Sequence, residues 1–332
     1  MKIAIVKLSA LGDIVHAMVV LQFIKKEIPN CQIDWIVEEC FAAVLEHNPH
    51  IHTILPVNLK AIKKDRFKLF SELKKLKKYA NNNYDLVIDM QGLLKSAIVS
   101  KILGVNSGFD KNSIREKIAS TLYKKSFFVP YDRNVIVRNT NLIESSLNFK
   151  ITKEQIKEKK SFLFFTKEDE EKTQRFLNQK KRNIVYILGS SWESKIYPKE
   201  KFVEIVKQLN ENHLLVWGNS KEEEYANYIE IGTDAVKLPK LNLNELKALI
   251  SKADLVVGGD SGPTHMAWAL NRPSITIFGP TPSCRNTFTT NVNKVIDCGN
   301  EIDAMNLDKK DYCIRDISSK AITNIAKKLL YG

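Results

Sequence analysis

The sequence predicts an α/β protein of two Rossmann-like domains facing across a cleft. Three observations carry that prediction. The chain opens with a strand, a loop, a helix and a second strand between residues 2 and 37, and the same rhythm restarts at NIVYIL, 183–188. Residues 255–282, LVVGGDSGPTHMAWALNRPSITIFGPTP, then place a strand, two glycines and a helix start in succession. A strand feeding a helix N-terminus aims free backbone N–H groups at one point, which favours a bound phosphate. At 332 residues the chain is long enough for two such domains.

Taken in order, KIAIV at 2–6 reads as a buried strand and residues 7–13 as the loop after it, ending in Gly12-Asp13. Ile14, Met18, Leu21 and Ile24 share one face of a helix expected over 14–28, which Pro29-Asn30 ends. QIDWIV at 32–37 is the next strand, joined by a right-handed crossover that makes the pair parallel. A further unit repeats the form: YDLVID (84–89) as strand, Gln91-Gly92 as turn, 93–103 as helix. Asp13 and Gln91-Gly92 then share the rim of strand C-termini where open α/β sheets bind ligands. Between these units, KAIKKDRFKLFSELKKLKKY at 60–79 holds nine Lys/Arg against two acids, with Ile62, Leu69, Leu73 and Leu76 roughly on one helical face. Such a helix suits an anionic bilayer, or it is a solvated helix packed on the sheet.

From about 127 to 182 the pattern weakens, with a helix over 166–179 and a domain boundary between 165 and 182. The second domain continues with the turn at Gly189-Ser190-Ser191, a helix over 198–209, a strand over 213–217, and helices over 221–232 and 244–251. Strand 255–257 turns on Gly258 and Gly259, whose missing Cβ atoms permit the turn. Asp260-Ser261-Gly262-Pro263 starts the helix 264–270, with cap-type side chains first and then a proline. Strand 274–278 follows, then the loop Gly279–Pro282. A last helix spans 316–330.

Composition narrows the function classes. No run of about 18 apolar residues is present, so no membrane span is expected. Lys7 and Gly12-Asp13 interrupt any signal-peptide core, which points to the cytosol. Five widely spaced cysteines without a C-x-x-C pair fit reduced thiols and argue against a zinc site. His47, His50 and His52 lack acids or cysteines at ligand spacing, so no metal is expected there. A net charge of +13 and a pI near 9.3 call for an anionic partner: nucleic acid, a phosphorylated substrate or an acidic membrane face. No GxGxxG follows the first strand and no P-loop signature occurs.

The reactive side chains cluster in four loops: Asp13; Ser190, Ser191 and Lys195; Glu222; and Asp260 to His265. They suit displacement at a sugar carbon bearing a diphosphate. That reaction needs a base for the attacking hydroxyl and positive or N–H charge for the departing phosphate. Asp13 is the candidate base. Lys195, two hydroxyls and the helix start at 262–266 are the candidate phosphate clamp. No D-x-D motif is available to hold a divalent ion, so metal-independent chemistry is expected. Blander readings exist for each: Asp13 as a helix cap, Glu222 as a first-turn acid, Lys195 as a solvated loop lysine.

Six segments then resemble a known family: KLSALGDIVHA (7–17), DWIVEE (34–39), YDLVIDMQGLLKSA (84–97), WGNSKEEE (217–224), LPKLNLNEL (238–246) and DSGPTHMAWALNRPSITIFGPT (260–281). Together they resemble the lipopolysaccharide heptosyltransferases, glycosyltransferase family 9, and most of all the type I enzymes. The resemblance implies the GT-B architecture, with an acceptor-binding domain over 1–165 and an ADP-sugar-binding domain over 182–332, the last helix able to pack back on the first. It implies transfer of L-glycero-D-manno-heptose from ADP-heptose to Kdo of Kdo2–lipid A, with inversion, without metal or cofactor, on the cytoplasmic face of the inner membrane. By position, Asp13 matches the catalytic base. Ser190 and Ser191 fall at the phosphates, where the family often has Thr-Thr, and Lys195 matches the phosphate lysine. Glu222 matches the ribose acid and Leu241 the residue on adenine. Asp260, Ser261, Gly262, Thr264 and His265 match the diphosphate and heptose end. Lys60, Lys64, Arg115 and Arg138 fall at or near basic positions for the acidic acceptor. Lys60 stands where arginine is common, and a lysine loses bidentate recognition of carboxylate; Ala61 leaves a neighbouring basic position empty.

Competing readings are another member of the family, a nucleotide-sugar 2-epimerase, which would turn over donor without acceptor, and a basic nucleic-acid-binding protein. The last needs aromatics interleaved with Lys/Arg, and the 60–78 segment has only Phe67 and Phe70. No nucleic-acid partner is therefore expected.

Overall fold

A computed structural model of the chain describes residues 1–62, 65 and 67–332. The fold is α/β, in two units, 1–162 and 163–332. The first unit holds six strands: β1 (Lys2–Val6), β2 (Gln32–Glu38), β3 (Thr53–Val57), β4 (Tyr84–Asp89), β5 (Gly104–Phe109) and β6 (Lys125–Phe127). They form one parallel sheet in the order β3-β2-β1-β4-β5-β6. The second unit holds β7 (Asn183–Ile187), β8 (Asn212–Val216), β9 (Val236–Lys237), β10 (Leu255–Gly259), β11 (Ser274–Phe278) and β12 (Asn293–Asp297), in the order β12-β11-β10-β7-β8-β9. Counted from its own first strand, each sheet runs 3-2-1-4-5-6, the doubly wound order. The strand direction of the connections reverses between β1 and β4 in one unit and between β7 and β10 in the other. Loops at those two points diverge and leave room for a ligand.

Central strands are covered on both faces, and their sequences are accordingly near-continuous apolar runs: Ile3 to Val6 and Ile184 to Ile187 are all buried. In the first unit Val6, Leu8, Ile36, Val57, Leu76 and Val99 join one core cluster. In the second, Tyr186, Phe202, Leu215, Val257 and Ile277 do the same.

Several elements differ from the sequence reading. The helix expected over 14–28 begins at Leu11 and is interrupted at Val19, giving Leu11–Met18 and Val20–Glu27. Apolar periodicity marks a helix's buried face but not its first turn, which faces out here. The basic stretch 60–79 is two helices, Leu59–Ile62 and Lys68–Ala80. Leu76 is buried and Leu73 half-buried, whereas Leu69 is exposed, so the expected apolar face packs only toward its C-terminal end. Strands β3, β5, β6, β9 and β12 have no counterpart in the sequence reading.

Gly258 and Gly259 lie inside β10 instead of forming a turn. A Cβ on Gly258 would stand 2.6 Å from the Thr264 hydroxyl, and one on Gly259 2.7 Å from the Lys195 carbonyl. Both glycines serve close approach. The helix Lys167–Gln174 packs on Leu243–Lys252 within the second unit, which places the division at 162/163, ahead of the expected window. The last helix, Ser319–Tyr331, sends Ile322, Ala326 and Leu330 into the second unit's own core, and Ser319 and Tyr331 hydrogen-bond Glu204 and Glu211. That core is where its apolar face goes.

Candidate functional site

In the first unit the reversal point holds the loop after β1 and the turn after β4. Asp13 sits in the first turn of Leu11–Met18, half-buried, where a carboxylate complements the helix dipole. Its Oδ2 accepts the Ala10 N–H at 3.2 Å. Gln91 Oε1 accepts the N–H groups of Leu8 and Ser9, each at 3.1 Å. The Lys7 ammonium, 5% exposed, donates to the Met90 carbonyl at 2.9 Å. Behind the turn, the buried Asp89 carboxylate accepts the Gln91 and Gly92 N–H groups and the Tyr123 hydroxyl. Burial pushes its pKa up against those hydrogen bonds. Gly92 has φ +70°, and a Cβ there would meet Ile114 at 2.6 Å, so the turn requires glycine.

The four expected acceptor residues divide. Lys60 is exposed, its ammonium 4.6 Å from the centre of the Phe41 ring. Arg115 is exposed and lies over Tyr131. Lys64 lies outside the described residues. Arg138 is only 5% exposed, and its guanidinium donates to the carbonyls of Ser113, Val129 and Pro130 while stacking on Phe109. A guanidinium so engaged braces the segments that meet at Phe109. The sequence reading assigns both Arg138 and Arg115 to the acceptor, and only the carbonyls around Arg138 separate them. His52, one of the three clustered histidines, pairs with Asp34 at 3.1 Å. No group of three or more metal-type side chains is found among the described residues.

In the second unit the reversal point is more densely built. Asp260, at the end of β10, is buried and accepts at both oxygens. Its Oδ2 lies 2.8 Å from Lys195 Nζ and from the Thr281 hydroxyl, and its Oδ1 2.9 Å from His265 Nε2. Burial alone would raise the Asp260 carboxyl, but the Lys195 ammonium and the His265 hydrogen bond hold it well below the usual carboxylate range. Ser190 Oγ donates to the Asp260 backbone carbonyl at 3.1 Å. Ser261 is the N-cap of Gly262–Ala269, with Pro263 in its first turn, and its hydroxyl lies 3.1 Å from that of Thr264. Lys195, Ser190 and the start of that helix thus converge on Asp260. Ser191 is exposed on the same loop.

Beside this cluster a pocket is lined by Leu188, Ser190, Ile196, Asn219, Glu222 and Tyr225. Glu222 accepts the Gly218 N–H and the Asn219 side-chain amide, both at 2.6 Å. A Cβ on Gly189 would overlap its carboxylate at 1.9 Å, so Gly189 makes the room that Glu222 occupies. A salt bridge of 3.0 Å joins Lys221 and Glu193, both of which line the pocket. Leu241 is half-buried in the segment before Leu243–Lys252 and is not among the lining residues. Leu188, Ile196 and Tyr225 give the pocket an apolar wall, and five polar side chains converge on it, a lining that suits a nucleoside.

Sequence reasoning passed over Thr281 and Asn286, whose side chains also reach Asp260 Oδ2. The Gly279–Pro282 loop after β11 was the available signal. It also passed over Gln91 as more than a turn residue.

The chain is similar to known proteins in sequence and in fold. The family profile of glycosyltransferase family 9 (heptosyltransferase) matches residues 72–313. A lipopolysaccharide heptosyltransferase 1 of Campylobacter coli is 44% identical, covering 99% of both chains. Among solved structures, the E. coli heptosyltransferase WaaC with ADP superposes at a TM-score of 0.83 with 25% identity, over 99% of this chain and 100% of that one. WaaC with ADP-2-deoxy-2-fluoro heptose superposes at 0.79 with 26% identity, over 99% of both.

Proposed function

The chain belongs to glycosyltransferase family 9, the heptosyltransferases, and on that premise we propose how its residues carry out the transfer. Its fold is GT-B and its function that of a lipopolysaccharide heptosyltransferase I. The donor is ADP-heptose, carrying L-glycero-D-manno-heptose, and the acceptor is a Kdo hydroxyl of Kdo2–lipid A. The reaction is a single displacement that inverts the anomeric carbon: the Kdo oxygen forms the new bond, the bond to the ADP oxygen breaks, and Asp13 takes the hydroxyl proton. Inversion in one step needs one base and one stabiliser of the leaving group, and the two reversal points supply one each.

The observation that carries this reading is the convergence of Lys195, Ser190 and the N-terminus of Gly262–Ala269 beside the pocket that Glu222 lines. Lys195 and the helix N–H groups neutralise the leaving diphosphate without a metal. Asp260 holds the ammonium in place. Glu222 takes the ribose, with Leu241 toward adenine, and Ser191, Ser261, Gly262, Thr264 and His265 complete the diphosphate and heptose end. Lys60, Lys64 and Arg115 meet the acidic acceptor, with Arg138 bracing the segments beside Arg115. No cofactor and no nucleic acid take part.

The protein works at the cytoplasmic face of the inner membrane as a peripheral enzyme. Among the described residues no helix is long and apolar enough to cross a membrane. Phe67 and Phe70 are 85% and 73% exposed at the start of Lys68–Ala80, whose lysines at 68, 74, 77 and 78 are also exposed. Exposed aromatics amid lysines suit an anionic lipid surface.

The test is ADP release by the pure protein with ADP-heptose, with and without Kdo2–lipid A in anionic vesicles, and with and without EDTA. Release is expected only with acceptor and unchanged by chelation. Turnover of donor alone would favour an epimerase; loss on EDTA, restored by magnesium or manganese, would overturn the clamp.

A further inference from the structure

We infer that Gln91 is the positioning residue of the catalytic carboxylate: its amide oxygen holds the β1–helix loop in the one shape that presents Asp13. The inference rests on Asp13 being the base. It begins from the ladder between β1 and β4, where the Met90 N–H donates to the Val6 carbonyl at 3.0 Å. The next rung of a parallel ladder would send the Leu8 N–H to the Met90 carbonyl. Lys7 Nζ occupies that carbonyl at 2.9 Å, and the Leu8 N–H turns to Gln91 Oε1 at 3.1 Å. Ser9 N–H joins it on the same oxygen at 3.1 Å, and the following N–H, of Ala10, goes to Asp13 Oδ2 at 3.2 Å. Three successive donors are therefore satisfied by two side chains, and the third bond is the one that orients Asp13.

Leu8 is fully buried, so its N–H needs a partner from the protein. Without the Gln91 oxygen, the loop has to move to satisfy two backbone donors, and the Ala10–Asp13 bond moves with it. Gln91 is itself fixed from behind, through its own N–H on the buried Asp89 carboxylate, which Tyr123 also holds. The chain of contacts runs from the interior of the sheet to the proton acceptor. Loss of an oriented geometry by about 1 Å can cost roughly 10²-fold in rate. A loop serving only the fold would show no such coupling to the carboxylate.

The experiment is a double-mutant cycle on the full chain, read as kcat, ADP Kd and melting curve. Gln91→Met, similar in size but without the acceptor, is expected to lower kcat by roughly 10–100-fold and to leave ADP Kd unchanged. Gln91→Glu keeps an oxygen for both N–H groups and is expected to recover most of that loss. In an Asp13→Asn background, Gln91→Met is expected to cost no more than about twofold further, because coupled residues are not additive. Should Gln91→Met melt below the assay temperature, Gln91→Asn, which keeps the amide on a shorter arm, carries the same expectation. Wild-type kcat in Gln91→Met, no recovery in Gln91→Glu, or an equal loss in both backgrounds overturns the inference. Wild-type kcat in Asp13→Asn alone is a different failure, that of Asp13 as the base.

Discussion

The two units share one strand order and place their functional residues at the same topological point, yet they build it from opposite materials. At the first, between β1 and β4, backbone N–H groups are gathered onto two uncrowded side-chain oxygens, and a single half-buried carboxylate is presented on a helix's first turn. At the second, between β7 and β10, a buried carboxylate binds a lysine, a histidine and a threonine, beside a pocket. The difference follows from the task proposed for each. A base must be able to take a proton and so cannot be locked into an ion pair. A phosphate clamp must keep its positive charge in place before the ligand arrives, and a buried partner does that. Shared topology fixes where a site can form; loop chemistry decides what it does.

Asp13→Asn breaks the comparison most sharply. The amide keeps an oxygen for the Ala10 N–H, so the melting curve should hold. General-base contributions are typically about 10²–10⁴-fold, and kcat should fall by at least roughly two orders of magnitude. ADP Kd by calorimetry should stay put, since only a transition-state interaction is lost. Wild-type turnover with an intact fold would falsify Asp13 as the base, whereas a collapsed melting curve would assign it to capping.

Lys195→Met acts on the other unit and should leave the opposite mark. ADP affinity is expected to drop by roughly 10–100-fold, the size of hydrogen bonds to a charged group. Stability should also fall by about 3–5 kcal/mol, because Asp260 loses its ammonium partner while remaining buried. A variant that binds ADP normally would remove Lys195 from the clamp.

Glu222→Gln is a smaller change at the pocket. Gly218 and Asn219 donate to separate oxygens of Glu222, so the amide keeps one of the two contacts, and the donor KM should rise by about tenfold, the equivalent of about 1.4 kcal/mol, with kcat near wild type. An unchanged KM would leave Glu222 as a first-turn acid and no more.

The smallest effects are slopes of stability against pH, and here the units differ in the pH window and share the sign. In the first unit, burial pushes Lys159 down to about 7. The unfolded chain, with lysine near about 10.4, holds the extra proton between those values, so stability should rise as pH climbs from about 7 to about 10. In the second unit Asp260 is held below its unfolded value of about 3.9, so its stabilisation is complete above that pH and lost as pH falls beneath it. Urea midpoints across pH should lose the upper slope in Lys159→Met and the lower one in Asp260→Asn. Parallel curves for wild type and both variants would mean that neither group is coupled to folding.

By itself, the amino-acid sequence determined the layer architecture and much of the second site. Runs such as KIAIV and NIVYI have no place but a strand covered on both faces, and the DSGPTH stretch after an apolar run makes a strand-to-helix turn by local rules alone. Tertiary structure decided what local patterns cannot encode. Whether a helix starts at Leu11 or Ile14 depends on where the Asp13 oxygen finds an N–H. Arg115 and Arg138 read alike in the chain, and only the carbonyls of Ser113, Val129 and Pro130 make one of them a brace. Gly258 and Gly259 read as a turn until Thr264 and Lys195 are seen where their Cβ atoms would stand. Gln91 is 83 residues from the N–H of Leu8 along the chain, and parallel pairing of β1 with β4 brings them within 3.1 Å. Propensity is a property of neighbours in sequence; a hydrogen bond or a steric gap belongs to neighbours in space, and parallel crossovers separate the two by whole helices.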